Sequence, residues 1–350
     1  MKRVGNLWDK VIDIDNLILA AHKAMEGKSE QHGVIEFNKD FDGNILRLYY
    51  LLQRGNYKTS TYRHRIIYEP KQRDIYMLPF YPDRIIHHAV MNIIEPIWDR
   101  RMYYHSYSCR KGKGQHRGST VCMGYVKRNP YVLKCDMSKF YPSINHDVLK
   151  RVIRRKIKDN KLLTLLDEII DSHFPGVPIG NYLSQWFGNV LLNELDDMVK
   201  ECGIRCYVRY CDDFVLFGDK KTLIPMADII KEYTDKVLMM KLSKLQLFPS
   251  SRGVDFLGYR HFPDGKILLR KSTAKHMVKR IKSLRYEVIH GLIPLRRAQD
   301  IAASIMAWAS WANTNNLRTK MKINEIKELV DWKISQNLHQ KIPLTEQRLN

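Results

Sequence analysis

The chain has 350 residues, 44% of them hydrophobic, with 59 Lys and Arg against 37 Asp and Glu and a formal charge of +22. That length exceeds one minimal core and predicts two or three lobes, and the apolar fraction excludes a disordered chain. A basic excess spread along the whole chain points to a polyanionic partner, nucleic acid ahead of an anionic membrane surface. A basic surface that is simply solvated is the plainer alternative.

The opening MKRVGNLWDKVIDIDNLI contains Asp residues and no continuous apolar segment, so no signal peptide is expected. No apolar run is long enough to span a bilayer. Cys109, Cys122, Cys135, Cys202, Cys206 and Cys211 form no Cys-x-x-Cys pair, which predicts reduced thiols and a cytoplasmic protein. Residues 16–28 read as a helix with Leu17, Ala20, Ala21 and Ala24 on one face, and 44–54 as a second. YRHRIIYEPKQRDIYMLPF reads as two short strands around a turn at 69–72. Residues 83–98 read as a helix, although Pro96 should kink or end it. SCRKGKGQHRGS at 108–119 reads as a basic, glycine-containing loop. YVLKCD at 131–136 is strand-like, 153–174 a helix, GVPIG at 176–180 a connector and 183–199 a helix. Residues 206–217 read as two strands around a tight turn at 211–213. A helix at 225–238, a strand pair around Gly253 and a hairpin at 263–265 follow. From 272 onward the chain reads as basic and mostly helical.

Three acids interrupt apolar, strand-like runs: Asp136 after YVLKC, and Asp212 and Asp213 between YVRYC and FVLF. A buried unpaired charge is costly, so each needs a cation, a basic side chain or the solvent of a turn. Any one alone reads as a turn residue. If the strands are neighbours, the three converge, and two divalent ions would offset their repulsion. Hard oxygen ligands suit Mg²⁺, with Mn²⁺ a possible substitute.

YCDD at 210–213 resembles the Tyr-x-Asp-Asp box of reverse transcriptases. Asp136 followed by Phe140 and Tyr141 resembles their first catalytic motif. YEPKQRDI with YPDRIIHHAV resembles the first finger motif, SYSCRKGKG the second, PIGNYLSQ the fourth and VDFLGY the strand that closes the palm. The order along the chain, from about residue 16 to about 317, is that of the family. Ile179-Gly180 with Ser184-Gln185, NLILAAHKAMEGK, YEPKxR, SRGVDFLGY and LLRKS resemble the enzymes of diversity-generating retroelements, bacterial or phage-encoded. Retron and abortive-infection reverse transcriptases are the nearest rivals, and a non-catalytic RNA-binding scaffold is the rival of another class. A metal-dependent nuclease would share the acids but not the ordered motifs.

The resemblance implies an α+β right-hand polymerase. Its parts would be a helical extension at 1–45, fingers at 46–130 and 147–181, a palm at 131–146 and 182–268, and a helical basic thumb and tail at 269–350. It implies catalytic Asp136, Asp212 and Asp213, with the Met137 carbonyl joining them around two metal ions. Lys71 and Arg73 would grip the incoming dNTP, with Arg110, Tyr141, Ile179, Gly180 and Gln185 around it. Lys113, Tyr210, Cys211, Lys244 and Gly258 would touch template or primer. Tyr141 is either the steric gate against a ribose 2′-OH or a core aromatic. Ile179 either loosens base selection, where a Gln would fix the substrate, or only packs. Trp308 and Trp311 read as core rather than a stacking platform. The implied partners are template-repeat RNA, the RNA/cDNA duplex and a small basic helical accessory variability determinant. No room is expected for an RNase H, maturase or endonuclease domain.

Overall fold

The computed structural model describes residues 2–68 and 72–339. They fall into two compact units, divided at Gly118/Ser119, Pro130/Tyr131 and Leu247/Phe248. The first unit opens with helices α1 (Trp8–Ile12), α2 (Ile14–Met25), α3 (His32–Asn38) and α4 (Phe41–Gln53). Strands β1 (Arg63–Ile67) and β2 (Arg73–Met77) form an antiparallel pair, followed by α5 (Ile85–Asp99). Helix α6 (Gln115–Arg128) crosses from the first unit into the second. The first unit resumes with β3 (Tyr131–Met137), α7 (Phe140–Ser143), α8 (His146–Arg154), α9 (Asn160–Asp171) and α10 (Tyr182–Glu201). Next come β4 (Tyr207–Tyr210), β5 (Asp213–Gly218), α11 (Lys220–Lys236) and β6 (Leu242–Pro249).

A four-stranded sheet of order β4-β5-β3-β6 is the centre of this unit. Side chains alternate across a strand, so Leu133, Cys135, Met137, Tyr207, Phe214 and Leu216 share one face. All six are buried in the main core, which also includes Leu191 and Leu195 of α10 and Ile230 of α11. Lys134, Asp136, Tyr210 and Asp213 fall on the opposite face. The N-terminal helices belong to the same core: Ala20, Ala21 and Ala24 of α2 are fully buried, and the Asn16 amide donates to the Ala89 carbonyl of α5 at 3.1 Å. The helices within residues 2–45 thus pack into the same core as the elements that follow.

The second unit holds the antiparallel sheet β7 (Val254–Phe256), β8 (Tyr259–His261) and β9 (Ile267–Leu269). Four helices follow: α12 (Lys271–Ile289), α13 (Leu295–Ser310), α14 (Asn315–Met321) and α15 (Ile323–His339). Met277, Ile281, Leu284 and Val288 make a one-sided apolar stripe on α12. It closes a core of its own with Ala298, Ala302 and Ala309.

Several elements differ from expectation. Helix α5 runs through Pro96 and ends three residues later, at Asp99. The predicted loop at 108–119 becomes helical at Gln115. The helix expected over 153–174 is two, broken where the Asp159 side chain caps α9 by accepting from Leu162 N. The strand before Gly253 is β6, which joins β3 rather than pairing with β7. The boundaries at 130 and 268 also move, since 119–130 and 248–268 group with the C-terminal helices.

Candidate active site

Asp136 lies directly opposite Asp213 across the β3–β5 pair, and Tyr210 opposite Asp213 across β4–β5. Cys211 and Asp212 are the two residues of the hairpin turn, with Cys211 in the left-handed region at φ 55°. The three acids therefore gather at one end of one sheet, as the strand-like runs around them predicted. Burial raises the Asp212 pKa above the usual aspartate value, and the Asp136 charge adds to this while Arg73 opposes it. Arg73, the first residue of β2, is thus within electrostatic reach of Asp212.

Each of the other two carboxylates faces a cation. Lys134 Nζ stands 3.5 Å from Asp213, and Lys244 Nζ 3.6 Å from Asp136. Ser243 Oγ donates within reach of the Asp136 carboxylate at 3.1 Å and of the Met137 carbonyl at 3.3 Å. Among the described residues no three His, Cys, Asp or Glu side chains close around a common point. The donor set still fits hard divalent ions: carboxylates and a carbonyl, one of the acids held back from ionising by burial first and by the Asp136 charge second. Asp136, Asp212, Asp213 and the Met137 carbonyl are the groups that would hold them.

Around the acids, one loop joins several expected residues. Val177 N donates to the Tyr141 carbonyl at 3.0 Å, and Tyr76 N on β2 donates to the Ile179 carbonyl at 2.8 Å. Gly180 has φ +121°, and a Cβ there would lie 2.5 Å from the Tyr76 carbonyl oxygen, so only glycine permits this approach. The Tyr141 hydroxyl is 3.4 Å from Cys211 Sγ, which brings Tyr141 against the turn that carries Asp212. Burial pushes the Tyr141 phenol up, and burial pushes the Cys211 thiol up to about 12, so both stay protonated. Gln185, on the first turn of α10, accepts from Cys109 Sγ at 3.1 Å.

Other expected residues are engaged elsewhere. The nearly buried Arg110 guanidinium contacts Asp99 at 2.5 Å and donates to the Tyr103 and Ser106 carbonyls at 2.7 and 3.0 Å. It shapes its own loop, and a phosphate would have to compete for donors already in use. Lys113 Nζ sits 3.7 Å from the Tyr104 ring centroid and donates to the Tyr104 carbonyl. Gly258, in the second unit, has φ +82°, and a Cβ there would approach Trp308 to 2.9 Å, so its smallness serves internal packing. Trp308 stacks on Tyr259 and Trp311 donates to Ser119, both within that unit. Lys71 lies outside the described residues.

The family model described as "Reverse transcriptase (RNA-dependent DNA polymerase)" matches residues 70–261, more than half of the chain. The chain belongs to the reverse transcriptase family. Its members are nucleotidyltransferases that use divalent metals, and the alternating helices and antiparallel sheets are those of a right-hand polymerase. The chain is 25% identical to Protein YkfC of Escherichia coli over 281 residues, 66% of this chain and 70% of that protein. It is 25% identical over 89 residues to Nuclear intron maturase 1, mitochondrial, of Arabidopsis thaliana, 25% of this chain and 12% of that protein. Telomerase from Candida tropicalis superposes with a TM-score of 0.49 at 14% identity, over 81% of this chain and 59% of that one. No helix among the described residues is long and apolar enough to cross a membrane.

Three residues near the acids escaped the sequence reading: Lys134, Ser243 and Arg209. Arg209 had a usable signal. It shares strand parity with Tyr207, hence the core face, where a charge requires a buried partner.

Proposed function

We propose that this reverse transcriptase extends a primer on RNA by in-line attack of the 3′-hydroxyl on the α-phosphate of a dNTP. The observation that carries the proposal is the facing of Asp136 and Asp213 across β3–β5 with Asp212 in the adjoining turn. The two ions, when bound, would lower the pKa of the attacking hydroxyl and neutralise the leaving pyrophosphate. The chain's own part is positioning and charge. Arg73, whose charge favours the ionised form of Asp212, has the planar fork that suits a phosphate. Tyr141 walls the site beside Cys211 and would exclude a ribose 2′-OH. The Ile179–Gly180 loop, tied to β2, would form the floor for the incoming base. Lys244 is placed to move from Asp136 to a phosphate once cations occupy the acids.

Within the family, the Ile179-Gly180 and Ser184-Gln185 pattern supports a polymerase of a diversity-generating retroelement. It would copy a template-repeat RNA with errors opposite adenine, for mutagenic retrohoming with a small basic accessory protein. A second reading, an intron-type reverse transcriptase of higher fidelity, draws on the similarity to intron maturases. Primer extension on RNA with Mg²⁺ and dNTPs, followed by product sequencing, separates them. Metal-dependent cDNA that Asp212→Ala abolishes is expected. Errors concentrated opposite adenine support the mutagenic reading, and faithful cDNA removes it. In the same assay Ile179→Gln should lower misincorporation, because its amide can hydrogen-bond the substrate where Ile179 cannot. An unchanged error rate would make Ile179 a packing residue.

A further inference from the structure

Behind the catalytic turn, on the core face of the sheet, lies a fully buried guanidinium. Arg209 forms an ion pair with Asp196 of α10 in which both side chains are 0% exposed. Its Nε lies 2.8 Å from Asp196 Oδ1, and one terminal nitrogen donates to Oδ2 at 2.6 Å. The other donates to Asn189 Oδ1 at 3.1 Å and to the Cys211 carbonyl at 3.2 Å. Tyr207 Oη donates to the same carboxylate at 2.6 Å. The Asn189 amide donates to the Ser108 carbonyl at 2.9 Å. The backbone of Arg209 is itself bonded to the same loop: its N–H donates to the His105 carbonyl and its carbonyl accepts from Tyr107 N, each at 3.0 Å.

The Arg209 side chain thus joins the Cys211–Asp212 turn to helix α10, while its backbone and Asn189 tie both to the loop at 105–109 that leads to Gln185 through Cys109. A buried ion pair is poor evidence for stability, because apolar residues of similar volume often serve as well. What apolar residues cannot supply is a planar set of donors that fixes a carbonyl in space. The carbonyl held here belongs to Cys211, whose left-handed backbone is the strained element of the turn. Asp212 follows it immediately.

We infer that Arg209 is a positioning residue for the catalytic turn. From the core face it holds the Cys211 carbonyl, and so sets the direction in which Asp212 is presented, in register with the loop at 105–109. This inference rests on the polymerase reading above.

The test replaces the network by apolar residues, as Arg209→Met, Asp196→Leu and Tyr207→Phe together. The triple variant is compared with wild type for melting, primer–template affinity, steady-state kinetics and Mn²⁺ binding by electron paramagnetic resonance. The expected result is a folded protein with unchanged primer–template affinity and a kcat lower by about 100-fold. Mn²⁺ affinity should fall about tenfold, as for loss of a group that orients a metal ligand. Wild-type kcat and Mn²⁺ affinity in the folded triple variant would overturn the inference and leave Arg209 a purely structural residue. If the triple variant does not fold, Arg209→Lys decides. It keeps the charge for Asp196 but cannot reach Asp196, Asn189 and the Cys211 carbonyl at once, so wild-type kcat there also overturns the inference. Wild type that makes no cDNA defeats the polymerase reading instead, and Mn²⁺ affinity of wild type against variant still decides the positioning.

Discussion

At the scale of single residues, the site is organised by which face of a strand each charge occupies. Lys134 and Asp136 are two apart on β3 and share a face, and Asp213 lies opposite Asp136. Lys134 is 9% exposed at its side chain and stands 3.5 Å from Asp213, which is 25% exposed. Removing the cation leaves a half-buried carboxylate next to two others. Lys134→Met should therefore cost about 1–3 kcal/mol of stability, measured by urea denaturation. It should also lower the Mg²⁺ concentration needed for half-maximal primer extension, because the ammonium that competes with the ions for Asp213 is gone. Unchanged metal dependence would mean that Asp213 takes no part in holding the ions. The three acids were legible in the sequence because carboxylates inside apolar strand runs need an explanation. Lys134 was not, since one lysine among 59 basic residues carries no signal until its strand neighbours are known.

At the scale of elements, local chemistry decides the boundaries that periodicity missed. Residues 153–174 read as one helix, basic at its start, yet Asp159, in the polar run KDNK at 158–161, breaks it. Its carboxylate caps α9 and also accepts from Leu7 N at 2.7 Å and Trp8 N at 3.0 Å, so one side chain ties the chain's beginning to a helix start. Partial burial opposes ionisation of Asp159, but the amide donors outweigh it and hold the pKa below the usual aspartate value. A depressed folded pKa gives stability that is present above the unfolded value, about 3.9, and is lost as pH falls through the folded value. Asp159→Asn should cost about 1–2 kcal/mol near neutral pH. Its denaturation midpoint should also fall less steeply than wild type in acid. A parallel pH profile for the two proteins would show that the carboxylate charge at Asp159 contributes nothing. Strand β6 illustrates the other limit. Its alternation is visible in LSKLQLFP, but its partner β3 lies about a hundred residues earlier, and no local pattern encodes a pairing across that distance.

At the scale of the whole molecule, the governing quantity is the charge of +22. A template held through backbone phosphates displaces condensed counterions, so its affinity depends on salt in proportion to the phosphates neutralised. The acids at the active site cannot supply this attraction, and they repel nucleic acid until cations fill them. Affinity for RNA must therefore come from Lys and Arg outside the carboxylate cluster, and the reaction's metal dependence should separate from the binding's salt dependence. Raising monovalent salt from about 50 to about 200 mM should weaken RNA binding by about 10³-fold if six or more phosphates are contacted, read by fluorescence anisotropy on a labelled primer–template. Asp212→Ala should show the same slope of log affinity against log salt as wild type while making no cDNA. A shallow slope in both proteins would mean that the net charge is solvated surface rather than a binding face. A slope altered by Asp212→Ala alone would mean that the catalytic acids, with their ions, take part in holding the template.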